Sequence, residues 1–132
     1  GKAITFGLLG GKPYLGLSGN PAAAYVGFEM LARPAIRKMR GFAEGARPVQ
    51  QAMLTHGVKK RQHRRFFDRA TVLRDSETGE LLVTEAKTQN SALLGTMQRA
   101  NCLLRIDEGP CELKAGDIVD VVRVDLPEGA VL

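Results

Sequence analysis

The sequence contains no tryptophan, and aromatic residues make up only 5% of its 132 positions. Proteins that bind single-stranded nucleic acid stack bases on several exposed aromatic rings. Phe66 and Phe67 are adjacent, so in a strand they point to opposite faces and at most one of them can face a ligand. The shortage of rings argues against a nucleic-acid partner. The basic segment 59–65 and a net charge of +5 keep a basic nucleic-acid-binding barrel as the alternative.

Cysteine and histidine are also scarce, with two of each. Cys102 and Cys111 lie nine positions apart and form no CxxC motif, and His56 and His63 do not complete a zinc pattern with them. No metal site is predicted from these residues. Reduced thiols in a cytosolic protein are the expected state, and a structural disulfide is the alternative.

Long apolar runs are missing as well, so no transmembrane span is predicted, and residues 1–4 do not have the pattern of a signal peptide. We therefore expect a cytoplasmic protein with no membrane partner. The chain does not begin with Met and enters a strand-like run almost at once. This start predicts that the chain is a piece of a longer protein.

The pattern of elements divides the chain into two unequal pieces at a linker, residues 41–48, that contains Gly, Ala and Pro. Residues 1–44 predict a β-hairpin with a turn at Gly10–Pro13, followed by a helix from Pro21 to about Arg40. Pro34 is expected to kink this helix because it removes one backbone hydrogen bond. One hairpin and one helix cannot bury both faces of a sheet. We therefore expect the end of an α/β domain, with an exposed apolar helix face that drives self-association.

Residues 45–132 contain five strand-like segments rich in β-branched or aliphatic residues, and one short helical segment. Five short strands with one helix favour a small closed or nearly closed barrel. The expected fold class is α+β and mostly β, with a hairpin-and-helix remnant of an α/β domain followed by a small β-barrel. The predicted elements are strands Val49–Val58, Phe66–Arg74, Leu81–Ala86, Cys102–Ile106 and Asp117–Val124, and helix Ser91–Arg99.

A tight turn, Gly16–Pro21, lies where a strand ends and the first helix begins. Asn20 suits the N-cap position, and Pro21 suits the first helical position because its missing N–H would have no partner there. Backbone N–H groups at such a start can bind a phosphate. The spacing alone fits a well-capped helix equally well, and both interpretations stay open at this point.

Short motifs follow one another along the whole chain: Phe6-Gly7, Gly16–Pro21, Phe28–Pro34, Arg64–Ala70, Gln89-Asn90-Ser91, Ala100-Asn101-Cys102 and Lys114–Val122. In order and spacing they closely resemble the molybdopterin molybdenumtransferase family, which includes bacterial MoeA and the C-terminal domain of gephyrin. Each motif alone is modest, but the ordered set is specific.

The resemblance implies a four-domain subunit that inserts molybdate into adenylylated molybdopterin with a divalent cation, Mg²⁺, and releases AMP. It implies that residues 1–44 end the molybdopterin-binding α/β domain and that residues 45–132 form the C-terminal β-barrel domain. It also implies a homodimer whose active site lies between two subunits. In the family the metal-binding acids come from upstream segments, and here Glu29 and Asp68 form no acidic cluster. The chain alone is therefore expected to be inactive, with no cofactor tightly bound.

The resemblance also implies site residues. Arg69 and Ser91 match an arginine and a serine that the barrel domain contributes, and they are the candidate catalytic residues. The candidate cofactor-binding residues are Lys2, Gly19, Asn20, Pro21 and Arg64.

Three of these candidates also have a purely structural interpretation. Arg69 could be a surface salt bridge, Ser91 a helix N-cap, and Lys2 an ordinary strand-edge lysine. Ser18 replaces a proline frequent in the family and receives no role. A protein-interaction module is a further alternative for the whole chain.

Overall fold

The structure is a computed structural model that describes residues 3–89 and 95–132. The described residues form two compact units, one of residues 3–46 and one of residues 47–89 with 95–132. The second unit contains a closed five-stranded barrel. The predicted fold class, mostly β with a small barrel, is confirmed.

The first unit begins with a hairpin of β1 (Thr5–Leu9) and β2 (Lys12–Gly16). Leu9 pairs with Lys12, so the turn consists of Gly10 and Gly11 alone, and both have positive φ. A two-residue hairpin turn needs this left-handed backbone because its twist then matches that of the strands. The turn is therefore shorter than the predicted Gly10–Pro13.

The predicted helix is present as three consecutive segments: α1 (Pro21–Gly27), a π-helical turn (Phe28–Ala32) and α2 (Arg33–Met39). The Arg33 N–H donates to the Phe28 carbonyl, five residues back. Pro34, the next residue, has no N–H to donate and crowds the preceding turn. The expected disturbance at Pro34 thus takes the form of a widened turn.

Gly41 ends this helix at φ +82°, in the conformation expected of a C′ residue. Its N–H donates to the Lys38 carbonyl at 3.0 Å, and the Phe42 N–H donates to the Arg37 carbonyl at 3.1 Å. The Arg37 guanidinium lies 4.2 Å from the centre of the Phe42 ring. The end of α2 is therefore fixed by backbone and side-chain contacts.

The first unit exposes many large apolar side chains on both the hairpin and the helix. Phe6 and Leu9 are each 73% exposed, and Met39 is 69% exposed. The incomplete-domain interpretation predicts such exposure. Self-association through this surface stays a prediction.

The second unit has seven strands among its described residues. The strands are β3 (Val49–Leu54), β4 (Val58–Lys60), β5 (Phe66–Arg74), β6 (Leu81–Glu85), β7 (Cys102–Ile106), β8 (Cys111–Leu113) and β9 (Ile118–Arg123). The barrel order is β3-β6-β5-β7-β9, in which β3 and β6 run parallel and the other neighbours are antiparallel. A separate two-stranded ribbon joins β4 and β8, and a short helix, α3 (Gly95–Arg99), precedes β7.

Two parts of the strand prediction are wrong. The segment Val49–Val58 is two strands, because the chain bends at Thr55–Gly57 and β4 then pairs with β8. A Cβ on Gly57 would lie 3.3 Å from the Leu113 carbonyl, so glycine permits this close approach. The prediction also missed β8, which has only three residues. Of the predicted helix 91–99, residues 95–99 are helical and 91–94 lie outside the described residues.

The barrel core follows from strand alternation, since every second side chain points inward. Leu104, Val83 and Val121 are fully buried, and Phe66 and Leu81 pack against the core from its edge. The core residues are Ala52, Leu54, Val58, Ala70, Val72, Val83, Cys102, Leu104, Ile106, Val119 and Val121.

Candidate functional site

Arg69 lies on the barrel strand β5, which pairs with β6 and β7, and it is opposite Leu103 of β7. Its neighbour Ala70 belongs to the core, so alternation places Arg69 on the outer face of the barrel. Only 3% of Arg69 is exposed. Arg69 is therefore a buried cation, and the interpretation as a surface side chain is wrong.

Gln89 holds Arg69 through its side-chain amide. Its Oε1 accepts from the Arg69 backbone N–H at 2.9 Å and from the Arg69 Nε at 3.4 Å. Its Nε2 donates to the Arg69 carbonyl at 2.9 Å and to the Ala86 carbonyl at 3.4 Å. The sequence interpretation gave Gln89 no role, although the residue lies in one of the motifs that carry the resemblance.

Burial lowers the pKa of Arg69 from its usual value, and the neighbouring Asp68 carboxylate opposes this shift. Arginine nevertheless keeps its charge in proteins. A positive charge already removed from water interacts more strongly with an anion than a hydrated one does. An oxyanion in contact with Arg69 would therefore be attracted more strongly than one in contact with a hydrated arginine.

Asp68 and Glu85 form a second group of titratable side chains. Asp68 lies on the same face of β5 as Ala70, and Glu85 is the cross-strand partner of Ala70. Burial raises the pKa of Asp68 to about 7, and both the charge of Glu85 and a hydrogen bond with its side chain add to the increase. The charges of Arg69 and Lys60 oppose it. The sequence interpretation missed this pair because the two residues are brought together only by the strand register.

Lys60 is 4% exposed at the end of β4. Its Nζ donates to the Gln62 carbonyl at 2.9 Å and to the Arg64 carbonyl at 2.6 Å. It therefore orders the loop that carries Arg64, whose side chain is exposed. The next residue, Arg65, lies 3.7 Å from Asp107 and 3.6 Å from Glu108.

In the first unit, the structure describes three of the candidate cofactor-binding residues in the turn before α1. Asn20 has extended backbone, its carbonyl accepts from the Ala24 N–H at 2.8 Å, and Pro21 begins the helix as predicted. Among the described residues, however, the Asn20 side chain makes no capping hydrogen bond. The Asn20 N–H instead donates to Ser18 Oγ at 3.2 Å. The Ser18 hydroxyl, for which no role is predicted, thus accepts from one of the backbone N–H groups that the anion-binding interpretation assigns to a ligand.

Gly19 stands beside open space, because a Cβ built there meets nothing within 4 Å. The remaining candidates, Lys2 and Ser91, lie outside the described residues. Gly19, Asn20 and Pro21 belong to the first unit, and Arg64 and Arg69 belong to the second.

A groove of about 230 Å³ lies on the second unit, and no candidate residue lines it. Arg105, in this groove, lies 2.8 Å from Asp120 and 3.3 Å from Asp107. Both carboxylates already compensate the Arg105 charge. The groove therefore holds an arginine whose charge is balanced by these two side chains.

Within residues 3–89 and 95–132, no three His, Cys, Asp or Glu side chains are grouped so as to hold a metal ion. Cys102 and Cys111 are both free thiols, so the disulfide alternative is wrong. Burial raises the pKa of the Cys102 thiol to about 12. Of the helices described, none is long and apolar enough to cross a membrane.

The family model of the MoeA C-terminal region (domain IV) matches residues 51–124, which include β5 and Arg69. The chain belongs to this family. The predicted resemblance is therefore confirmed, and the matched segment covers most of the barrel of the second unit.

Curated relatives extend the similarity over most of the chain. Molybdopterin molybdenumtransferase 1 of Mycobacterium tuberculosis is 35% identical over 126 residues, which are 92% of this chain and 30% of the relative. Molybdopterin molybdenumtransferase of Staphylococcus aureus strain COL is 31% identical over 125 residues, 95% of this chain and 29% of the relative. The chain thus spans about three tenths of the curated relatives it matches.

A solved structure shows the same similarity. The molybdopterin biosynthesis MoeA protein of Pyrococcus horikosii superimposes with a TM-score of 0.71 at 26% identity, over 93% of this chain and 29% of that protein. The similarity covers residues in both units, since 93% of the chain exceeds the length of the second unit alone.

Proposed function

We propose that this chain is the C-terminal part of a molybdopterin molybdenumtransferase, and that its barrel supplies Arg69 and Ser91 to an active site completed by the rest of the enzyme. The observation that carries the proposal is the buried, amide-held Arg69 within the matched segment 51–124. The named relatives are enzymes of this type. The parent protein would insert molybdate into adenylylated molybdopterin.

The role of Arg69 would be to bind an oxyanion. A guanidinium offers two parallel N–H donors that match two oxygens of a phosphate or of molybdate. Donors fixed before the reaction stabilise charge without having to reorganise. Ser91 would add a hydroxyl donor, and the exposed Arg64 and Lys2 would add positive charge.

The turn at Gly19, Asn20 and Pro21 would form another part of the cofactor site. The open space beside Gly19 would let a ligand approach the backbone closely. The Asn20 N–H already donates to Ser18, so this turn would contribute through its shape and its remaining polar groups.

Mg²⁺ does not fit the described residues of this chain. They contain no group of three potential ligands, and because the pKa of Asp68 is raised to about 7, about half of the Asp68 carboxyl groups keep their proton at neutral pH. A protonated carboxyl group is a poor ligand for a hard cation. We therefore assign Mg²⁺ to segments of the parent enzyme outside this chain, and we expect the chain alone to be inactive.

The parent enzyme would be a cytoplasmic homodimer. The apolar side chains exposed on the first unit supply the kind of surface that an interface covers. Sedimentation of the full-length enzyme tests the homodimer, and sedimentation of the 132-residue chain tests self-association through the exposed surface. Strict monomers at high concentration would contradict the prediction in either case.

The experiment on function measures molybdenum insertion by the full-length enzyme with Arg69→Ala or Ser91→Ala. Arg74→Ala is the matched control, since Arg74 is an exposed arginine on the same strand. We expect a fall of about tenfold or more for the two site variants and no loss for the control. Unchanged insertion in both site variants would remove the assignment.

The alternative of a nucleic-acid-binding barrel rests on the exposed basic loop at Arg61 and Arg64. Binding to single-stranded RNA by the 132-residue chain, measured between 50 and 200 mM salt, distinguishes the two functions because phosphate contacts give a steep salt dependence. We expect no such binding.

A further inference from the structure

Two amide side chains hold the backbone of β5, one from each end of the segment that connects β6 to β7. Gln89 pairs with the N–H and carbonyl of Arg69, both at 2.9 Å. Asn101 pairs in the same way with Val72, accepting from its N–H at 2.8 Å and donating to its carbonyl at 2.9 Å. Only the Gln89 contact also reaches a side chain, the Nε of Arg69.

The Gln89 amide takes the place of a peptide group at the end of the β5–β6 ladder. The last register pair is Ala70 with Glu85, and the Ala86 N–H then donates to the Arg69 carbonyl at 2.9 Å. Because β6 ends at Glu85, the next position of the ladder offers the Arg69 N–H no carbonyl of β6. The Arg69 N–H donates to Gln89 Oε1 instead. Gln89 Nε2 reaches both the Arg69 and the Ala86 carbonyls.

We infer that Gln89 is a positioning residue that fixes Arg69 for oxyanion binding, an inference that rests on the proposed role of Arg69. One oxygen, Oε1, accepts from both the backbone N–H and the Nε of Arg69 and so ties the start of the side chain to its guanidinium end. A side chain fixed in this way loses less rotational freedom when it binds a ligand. Glutamine is suited to this role because its amide both accepts and donates.

The first test uses the 132-residue chain and needs no activity. Hydrogen exchange of the Arg69 Nε–H is followed by NMR in the wild type, Gln89→Ala and Asn101→Ala. Both variants lose one amide that holds β5, so Asn101→Ala controls for loss of strand stability. We expect exchange to quicken about tenfold or more in Gln89→Ala and to stay near the wild-type rate in Asn101→Ala. Equal exchange in Gln89→Ala and wild type would overturn the inference.

The second test measures kcat/KM for molybdenum insertion by the full-length enzyme in the same two variants, in Arg69→Ala and in the double variant Arg69→Ala/Gln89→Ala. If Gln89 acts through Arg69, its loss matters only while Arg69 is present. We expect kcat/KM to fall about tenfold in Gln89→Ala and to change little in Asn101→Ala. The double variant should have the same kcat/KM as Arg69→Ala. Effects that multiply in the double variant would show that Gln89 does not act through Arg69.

Different results would contradict the proposed role of Arg69 and the positioning role of Gln89. If Arg69→Ala inserts molybdenum at the wild-type rate, the proposed function of Arg69 is wrong, whereas the NMR test still decides whether Gln89 fixes its side chain. If Arg69→Ala loses activity and Gln89→Ala does not, the role of Arg69 stands and the positioning role of Gln89 is wrong.

Discussion

The barrel should lose stability as the pH rises from about 4 to about 7, because folded Asp68 holds its proton more tightly than unfolded Asp68 does. Burial, with the carboxylate of Glu85 beside it, raises the pKa of Asp68 from 3.8 to about 7. Between these values the folded chain binds more protons, so the free energy of unfolding falls with rising pH. At about 1.4 kcal/mol per pH unit, the full change is about 4 kcal/mol.

Asp68→Asn removes this pH dependence because the amide stays neutral, as the protonated acid is. The free energy of unfolding of the wild type, minus that of Asp68→Asn, should therefore fall by about 4 kcal/mol between pH 4 and pH 8. The assay is urea unfolding followed by far-ultraviolet circular dichroism. Tyrosine signals cannot report on the barrel, since Tyr14 and Tyr25 both lie in the first unit and the chain has no tryptophan.

Asp75→Asn is the matched control. The Glu77 N–H donates to the Asp75 carboxylate at 2.8 Å and lowers its pKa. With a folded pKa below the unfolded one, Asp75 contributes stability above pH 3.8 and loses it only as the pH falls further. The wild-type minus Asp75→Asn difference should therefore be flat from pH 4 to pH 8. A flat difference for Asp68→Asn as well would refute the reasoning.

Two further predictions concern the same barrel. Leu104→Ala should lower the free energy of unfolding by about 2–5 kcal/mol, because Leu104 is fully buried in the core. Leu73→Ala, at a 66% exposed position, should lower it by less than about 1 kcal/mol in the same urea titration, and equal losses would contradict the core assignment. Lys60→Met should raise the titration midpoint of Asp68, followed by carboxyl ¹³C NMR, since the Lys60 charge lowers the Asp68 pKa; an unchanged or lower midpoint would contradict this.

The barrel strands could be predicted because their alternation is strong and their ends carry turn residues. The bounds of β5 and β7 agree with the sequence prediction residue for residue. The β4–β8 ribbon could not be predicted, since two strands of three residues leave too short a pattern. The π-helical turn before Pro34 could not be predicted either, since the sequence indicates only that a proline disturbs the helix and not what form the disturbance takes.

The candidate site was predicted only through its motifs. The resemblance predicted Arg69 as a site residue. Its burial and its contact with Gln89, twenty positions along the chain, depend on where β6 ends. Asp68 and Glu85 become neighbours through the register that pairs Ala70 with Glu85. Such contacts are set by tertiary structure, which periodicity along one strand does not contain.

The most direct test of the central claim, that Arg69 binds an oxyanion with its planar guanidinium, is kcat/KM for molybdenum insertion by full-length Arg69→Lys. Lysine keeps the positive charge but cannot donate two parallel hydrogen bonds or reproduce the Nε contact with Gln89. We expect Arg69→Lys to lose about tenfold or more, close to Arg69→Ala. Insertion by Arg69→Lys at the wild-type rate would contradict the claim.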